Sequence, residues 1–181
     1  MNNLQLTNSL TNKKEIFNPI NKDKVSLYAC GPTVYDNPHV GNARAIVVFD
    51  LLFRILIELY GEKKVSYVRN ITDIDDKIIE ASKTKKIDIS DLTKSVTEKF
   101  HKDCKILFCL NPTKEPRATD HVEGMINMTK KLIEKNAAYE KEGHVFFRVS
   151  AFKKYGELSN KNPDDLKAGA RVEVSKLKND P

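Results

Sequence analysis

At 181 residues the chain is long enough for one compact domain, or for one domain carrying a large insertion. Its 40% hydrophobic and 31% charged content is ordinary for a water-soluble globular protein. No segment has the unbroken apolar length of a membrane span, no N-terminal apolar core marks secretion, and three cysteines without framework spacing exclude a disulfide scaffold.

A reducing cytoplasm is therefore the expected compartment, with no membrane partner. The formal charge of +6 favours a polyanionic partner. The lysine pairs at 63–64, 85–86, 130–131 and 153–154 read as solvated faces rather than as a nucleic-acid stripe.

Residues 1–24 are polar, and Thr7 to Phe17 reads as a surface hairpin or extended arm ahead of Pro19. Val25 to Cys30 is an apolar, strand-forming run. A loop punctuated by Gly31, Pro32 and Pro38 follows and delivers His39-Val40-Gly41-Asn42 to a helix over Ala43 to Tyr60. That helix is apolar on nearly every face, which predicts burial all round, and Gly61 suits its end. Val65 to Ile71 is a second β-branched and aromatic run. Strand, helix and strand predict a βαβ unit with parallel strands and a right-handed crossover.

Ligands of such units bind beyond the carboxyl ends of the strands. That edge collects Cys30, Gly31, Thr33, His39, Gly41 and Asn42 from the first loop, and Asn70, Thr72 and Asp73 from the second. A helix N-terminus offers unpaired N–H groups to phosphate. Gly41 lets backbone approach a ligand, and His39 and Asn42 can add hydrogen bonds. By itself His-x-Gly-Asn carries little, because a histidine at a helix start also serves as a cap.

After Thr72 the chain turns into another helix, with Thr72 or Asp73 as cap and Asp75 and Asp76 in the first turn. Paired aspartates invite a metal or acid–base reading, but no further ligand lies nearby in sequence. Ser90 to Leu110 is helical, with Val96, Phe100, Cys104, Leu107 and Phe108 on one stripe. His101, Cys104 and Cys109 can be drawn as a metal cluster. Cys104 lies on the apolar stripe and a zinc site wants four ligands, so the residue reads rather as a small hydrophobe.

Two prolines break the pattern between Asn111 and Arg117. Thr119 or Asp120 then starts a helix with Val122, Met125, Ile126, Thr129, Leu132 and Ile133 on one face. Ala138 to Glu140 and His144 to Val149 predict a hairpin, a turn follows near Asp164-Asp165-Leu166, and there is no internal repeat. The order divides into an arm (1–24), a βαβ region (25–89), and an insertion of helices and hairpin with a return segment (90–181).

Several stretches together resemble the cysteinyl-tRNA synthetases, a class I family. They are Tyr28-Ala29-Cys30-Gly31-Pro32-Thr33-Val34-Tyr35-Asp36-Asn37-Pro38-His39-Val40-Gly41-Asn42-Ala43-Arg44, then Val68-Arg69-Asn70-Ile71-Thr72-Asp73-Ile74-Asp75-Asp76-Lys77-Ile78. The likeness resumes at Glu115-Pro116-Arg117-Ala118-Thr119, Tyr155-Gly156-Glu157-Leu158-Ser159 and Ala168-Gly169-Ala170-Arg171-Val172, so it spans about Asn8 to Pro181.

The resemblance implies an α/β fold: the first half of a Rossmann-like nucleotide-binding domain, with an α+β connective insertion. It implies ATP-dependent activation of cysteine and transfer to its tRNA by a monomer. Pro32, Thr33, His39, Gly41 and Asn42 would bind ATP with Mg2+, His39 and Asn42 being the catalytic donors. Gly31 and Thr72 would bind cysteine, and Cys30 would be one ligand of a zinc ion. Asn42 departs from the commoner His-Ile-Gly-His form: it keeps a donor but cannot carry charge. The remaining zinc ligands and the Lys-Met-Ser-Lys-Ser loop have no match here, so the isolated chain is expected to be inactive. Alternatives are a non-catalytic nucleic-acid-binding or interaction module, and a ligase joining cysteine to an amino-sugar.

Overall fold

The computed structural model describes residues 4–160 and Lys178. The expected turn at Asp164-Asp165-Leu166 and the stretch Ala168 to Val172 lie outside the described residues. In chain order the elements are β1 (Gln5–Asn8), β2 (Lys13–Ile16), β3 (Val25–Ala29), α1 (Val40–Tyr60), β4 (Val65–Arg69), α2 (Asp76–Lys85), α3 (Ile89–Ile106), α4 (Val122–Glu134), β5 (Ala138–Lys141) and β6 (His144–Phe147). They fall into two units, Pro19–Val122 and the described residues of 1–18 with 123–181. The expected division at 89/90 falls at the first turn of α3, inside the first of these.

In the 19–122 unit, β3 and β4 pair in parallel from Val25 opposite Val65 to Ala29 opposite Arg69, with α1 as the connection. This is the βαβ unit that the two strand-forming runs and the helix between them predict. On β4, Val65, Tyr67 and Arg69 are buried while the residues between them are only half-buried. Phe53 and Leu56 of α1 are buried, and the Phe53 ring lies 5.1 Å from that of Tyr67. Each such burial stabilises the fold by about 1.5–3 kcal/mol.

Two details of α1 depart from expectation. It begins at Val40, three residues early, because His39 caps it. It buries only Asp50, Phe53 and Leu56, whereas Val47, Val48, Leu51 and Leu59 are exposed. Within this unit β3, β4 and α3 contact the helix on the side that is buried. The buried Asp50 accepts bonds from the Leu110 amide at 2.7 Å and from Arg54 Nε at 2.7 Å.

The proline-bearing segment after α3 is more than a break. Arg69 N–H donates to the Lys114 carbonyl (3.1 Å), Lys114 N–H to Tyr67 (3.2 Å), and Ile71 N–H to Pro116 (2.9 Å), so the segment runs along the free edge of β4 in parallel. Pro116 has no N–H to give, but its carbonyl can accept, and an edge neighbour tolerates proline on that basis.

Helix α2 is capped by Asp75, not by Thr72 or Asp73: Asp75 accepts from Lys77 N–H at 2.9 Å, leaving Asp76 in the first turn. In α3, Leu92, Val96, Phe100 and Cys104 are buried together with Val34, Ile71 and Ile78. The expected stripe fails at its end. The helix stops at Ile106, Phe108 takes a left-handed φ of 57°, and Leu107 and Phe108 face solvent.

The other unit contains two hairpins. β1 and β2 pair antiparallel, Gln5 opposite Ile16, as the polar arm suggested. β5 and β6 pair Ala138 with Phe147 around a two-residue loop, Glu142 (φ 52°) and Gly143 (φ 78°), whose twist matches the strands. Helix α4 has the apolar face expected of it, yet none of its residues is buried. Among the described residues no helix is long and apolar enough to cross a membrane.

Candidate active site

The carboxyl ends of β3 and β4 are stitched together by their following loops. Thr72 N–H donates to the Pro32 carbonyl at 3.0 Å and Val34 N–H to the Thr72 carbonyl at 3.1 Å. Gly31 N–H donates to Asn70 Oδ1 at 3.0 Å, and Asn70 Nδ2 to Thr72 Oγ1 at 3.0 Å. A Cβ on Gly31 would fall 1.6 Å from the Asn70 carbonyl oxygen. Only glycine therefore lets the two loops close to this distance.

At the start of α1, His39 and Asn42 cap the helix reciprocally. Gly41 N–H donates to His39 Nδ1 at 3.1 Å, and His39 N–H donates to Asn42 Oδ1 at 3.0 Å. With Nδ1 accepting, the neutral ring carries its proton on Nε2. Gly41 has a different immediate task from the expected one. A Cβ there would meet His39 Cε1 at 2.8 Å, so its smallness makes room for the imidazole.

Two neighbouring cavities use these residues. One of about 60 Å³ is lined by Cys30, Gly31, Pro32, Asn42, Arg69 and Phe100, among others. The second, about 240 Å³, shares Gly31, Pro32 and Asn42 and adds Thr33 and His39. Cys30 is exposed at this edge. The structure thus brings Cys30, Gly31, Pro32, Thr33, His39 and Asn42 to one place, with Thr72 bonded directly behind them.

Behind this edge lie bonds between residues of the two later stretches that no local pattern pairs. The Arg69 side chain is buried, donates from Nε (3.0 Å) and Nη2 (2.6 Å) to Glu115, and lies 4.8 Å above the Phe100 ring. Burial by itself would lower the Arg69 pKa, but the bonds to Glu115 outweigh it and hold the guanidinium charged. The other Glu115 oxygen meets His101 Nε2 at 2.5 Å. Asp73 is likewise buried, accepting from Thr119 N–H (3.0 Å) and Oγ1 (2.7 Å) with Arg117 at 3.5 Å. Burial pushes its carboxyl up, and the Thr119 bonds and Arg117 more than offset this, leaving it below the ordinary range.

Lysines surround the loop. Lys85 reaches Asp36 at 3.3 Å, Lys99 reaches Asn37 at 3.0 Å, and Lys77 lies 5.3 Å above the Tyr35 ring. Lys85 belongs to a pair that reads from sequence as merely solvated; its loop contact was not visible there. The drawn cluster of His101, Cys104 and Cys109 does not assemble: His101 is engaged by Glu115, and among the described residues no group of three metal-ligating side chains exists.

Residues 16–181 match the family model described as tRNA synthetases class I (C) catalytic domain. The chain belongs to this class I tRNA synthetase family. It is 56% identical over 170 residues to a cysteine–tRNA ligase of Pelagibacter ubique, covering 94% of this chain and 38% of that protein. It is 54% identical over 178 residues to one of Beijerinckia indica (98% and 39%), and 50% identical over 176 residues to one of Rickettsia felis (97% and 38%). The chain thus spans about two-fifths of the length of these relatives. The parallel pair and the mixed helices and small sheets around it are consistent with an α/β fold for this catalytic-domain match.

Proposed function

We propose that this chain provides the ATP- and cysteine-binding half-site of a cysteine–tRNA ligase. The observation that carries it is the convergence of Cys30, Gly31, His39 and Asn42 on adjoining cavities at the carboxyl edge of a parallel pair, in a chain 50–56% identical to such ligases. These relatives favour the ligase over an interaction module or an amino-sugar ligase.

In the first reaction a carboxylate oxygen of cysteine attacks the α-phosphorus of ATP. The bond to the bridging oxygen breaks and pyrophosphate leaves with its electron pair. A carboxylate is already nucleophilic at neutral pH, so the site needs positioning and charge stabilisation rather than a general base. His39 Nε2–H, held outward by the Nδ1 cap bond, is a donor for phosphate oxygen, and the N-terminus of α1 adds its dipole. Asn42 helps indirectly, because its side-chain oxygen fixes the His39 backbone. Pro32 and Thr33 line the cavity offered to the nucleotide, Gly41 leaves room for the His39 ring beside it, and Mg2+ accompanies the phosphates as part of the substrate. Gly31 and Thr72 form the stitched edge where the amino acid's backbone end would lie, and the activated cysteine passes to its tRNA.

Cys30 is an exposed thiol beside that edge and fits one position of a zinc ion, the other ligands coming from outside the described residues. Zinc, when bound, supplies a soft Lewis acid that favours a thiolate over a serine hydroxyl. The test is cysteine-dependent ATP–pyrophosphate exchange by the protein carrying this sequence. His39→Ala is expected to lower kcat at least tenfold. Cys30→Ser should erase the preference for cysteine over serine while leaving ATP binding intact. Exchange unchanged in both variants would overturn the assignment.

A further inference from the structure

Cys104 and Cys109 stand outside the half-site and are brought together by the way α3 ends. Cys109 N–H donates to the Cys104 carbonyl at 3.0 Å and Phe108 N–H to the Lys105 carbonyl at 3.0 Å, with Phe108 at φ 57°. This 6→1 and 5→2 pair is a Schellman closure, a geometry that sets the side chains of the two outer residues against each other. Here those residues are the two cysteines, and both pack in the same cluster with Phe100.

The distance suits a covalent link. With standard bond lengths, a 3.0 Å N–H···O bond limits the Cα–Cα separation to about 6.9 Å even if straight. The bends at nitrogen and oxygen bring it inside the 4.4–6.8 Å that a disulfide spans. Access differs between the two thiols. Cys104 is buried behind Arg69, whose Nη1 lies 3.8 Å from its sulfur, whereas Cys109 is half-buried and lines a surface cleft with Arg69, Lys105 and Glu115.

We propose that Cys104 and Cys109 form a reversible dithiol–disulfide pair that responds to low-molecular-weight disulfides. The Cys109 thiolate attacks one sulfur of the small disulfide, forming a mixed disulfide and expelling one thiolate. Cys104 then loses its proton to solvent and attacks the Cys109 sulfur, expelling the second thiolate. Two protein thiols are thus oxidised and one small disulfide is reduced to two thiols. Burial pushes both thiols above their ordinary range, so the exchange quickens as pH rises. Bridge formation would lock the junction between α3 and the segment along β4. That junction holds Phe100 and Arg69, which line the smaller cavity of the half-site. Disulfides of cytosolic proteins are characteristically transient and redox-sensing.

The experiment treats the reduced native protein with oxidised glutathione at pH 8.5 and maps the products by mass spectrometry under non-reducing conditions. The expected product is a peptide pair joined through Cys104 and Cys109, lighter by two hydrogens and restored by a dithiol reductant. The exposed Cys30 would take up glutathione as a mixed disulfide, and its peptide is scored separately. Cys109→Ser should give no bridge and leave Cys104 unmodified in the folded protein, with an unchanged circular dichroism spectrum reporting the fold. Persistent glutathione on Cys109 with no bridge to Cys104, or no reaction at either thiol, would overturn the proposal.

Discussion

The amide of Gly31 lies 3.0 Å from the side-chain oxygen of Asn70, and a β-carbon on that glycine would collide with the Asn70 carbonyl at 1.6 Å. No side-chain rotation relieves the collision, because the obstacle is backbone of the neighbouring strand end. Gly31→Ala should therefore part the two loops. The expected cost is about 3 kcal/mol, the upper part of the usual range for overpacking. Urea unfolding would read it as a lower midpoint with an unchanged slope. Asn70→Ala, which removes the two side-chain bonds but admits the glycine, should cost about 1–2 kcal/mol. A Gly31→Ala protein as stable as the parent would mean that the loops close differently.

Gly41 and His39 form a second dependent pair. The imidazole occupies the space where an alanine methyl would sit, 2.8 Å from its Cε1. Gly41→Ala should displace the ring and weaken the cap by about 1 kcal/mol. In exchange assays kcat should fall as His39 Nε2 loses its aim, with a smaller effect on the KM for cysteine. His39→Asn keeps a capping side chain and removes the ring donor. It should therefore retain most of the stability while losing activity, which separates the two roles of His39. Equal losses of both in His39→Asn would count against that separation.

Asp73 should make the fold sensitive to acid. Its folded-state carboxyl lies below the ordinary value because the Thr119 bonds and Arg117 overcome the cost of burial. A depressed carboxylate contributes stability that is fully present above the unfolded pKa, near 3.9. That contribution is lost as pH falls through the lower folded value. Asp73→Asn should lower the unfolding free energy at pH 7 by about 1–3 kcal/mol and flatten its decline below about pH 4. An identical acid limb in parent and variant would show that Asp73 titrates normally.

Part of the local structure was legible in the chain. Apolar, β-branched and aromatic runs marked β3 and β4, and the Ala138–Glu140 and His144–Val149 stretches around Lys141-Glu142-Gly143 marked the hairpin. Gly31, His39 and Asn42, expected at the strands' carboxyl edge, line cavities there. These signals work because strand alternation, turn conformations and helix starts depend on residues within a few positions of each other.

The tertiary structure decided the rest through bonds between distant residues. Asp73 looked like a helix cap, but Thr119 offers it both an amide and a hydroxyl 46 residues away, and Asp75 takes the cap instead. Residues 111–117 looked like a proline break, yet the Lys114 and Pro116 carbonyls accept from the Arg69 and Ile71 amides along β4, where proline's missing N–H does no harm. Arg69 and Glu115, also 46 apart, pair a buried guanidinium with a half-buried carboxylate beside the site. The apolar surface of α1 announced burial all round. Which part is buried was settled by where β3, β4 and α3 lie, because burial depends on neighbours in space and hydropathy records only what a residue would tolerate.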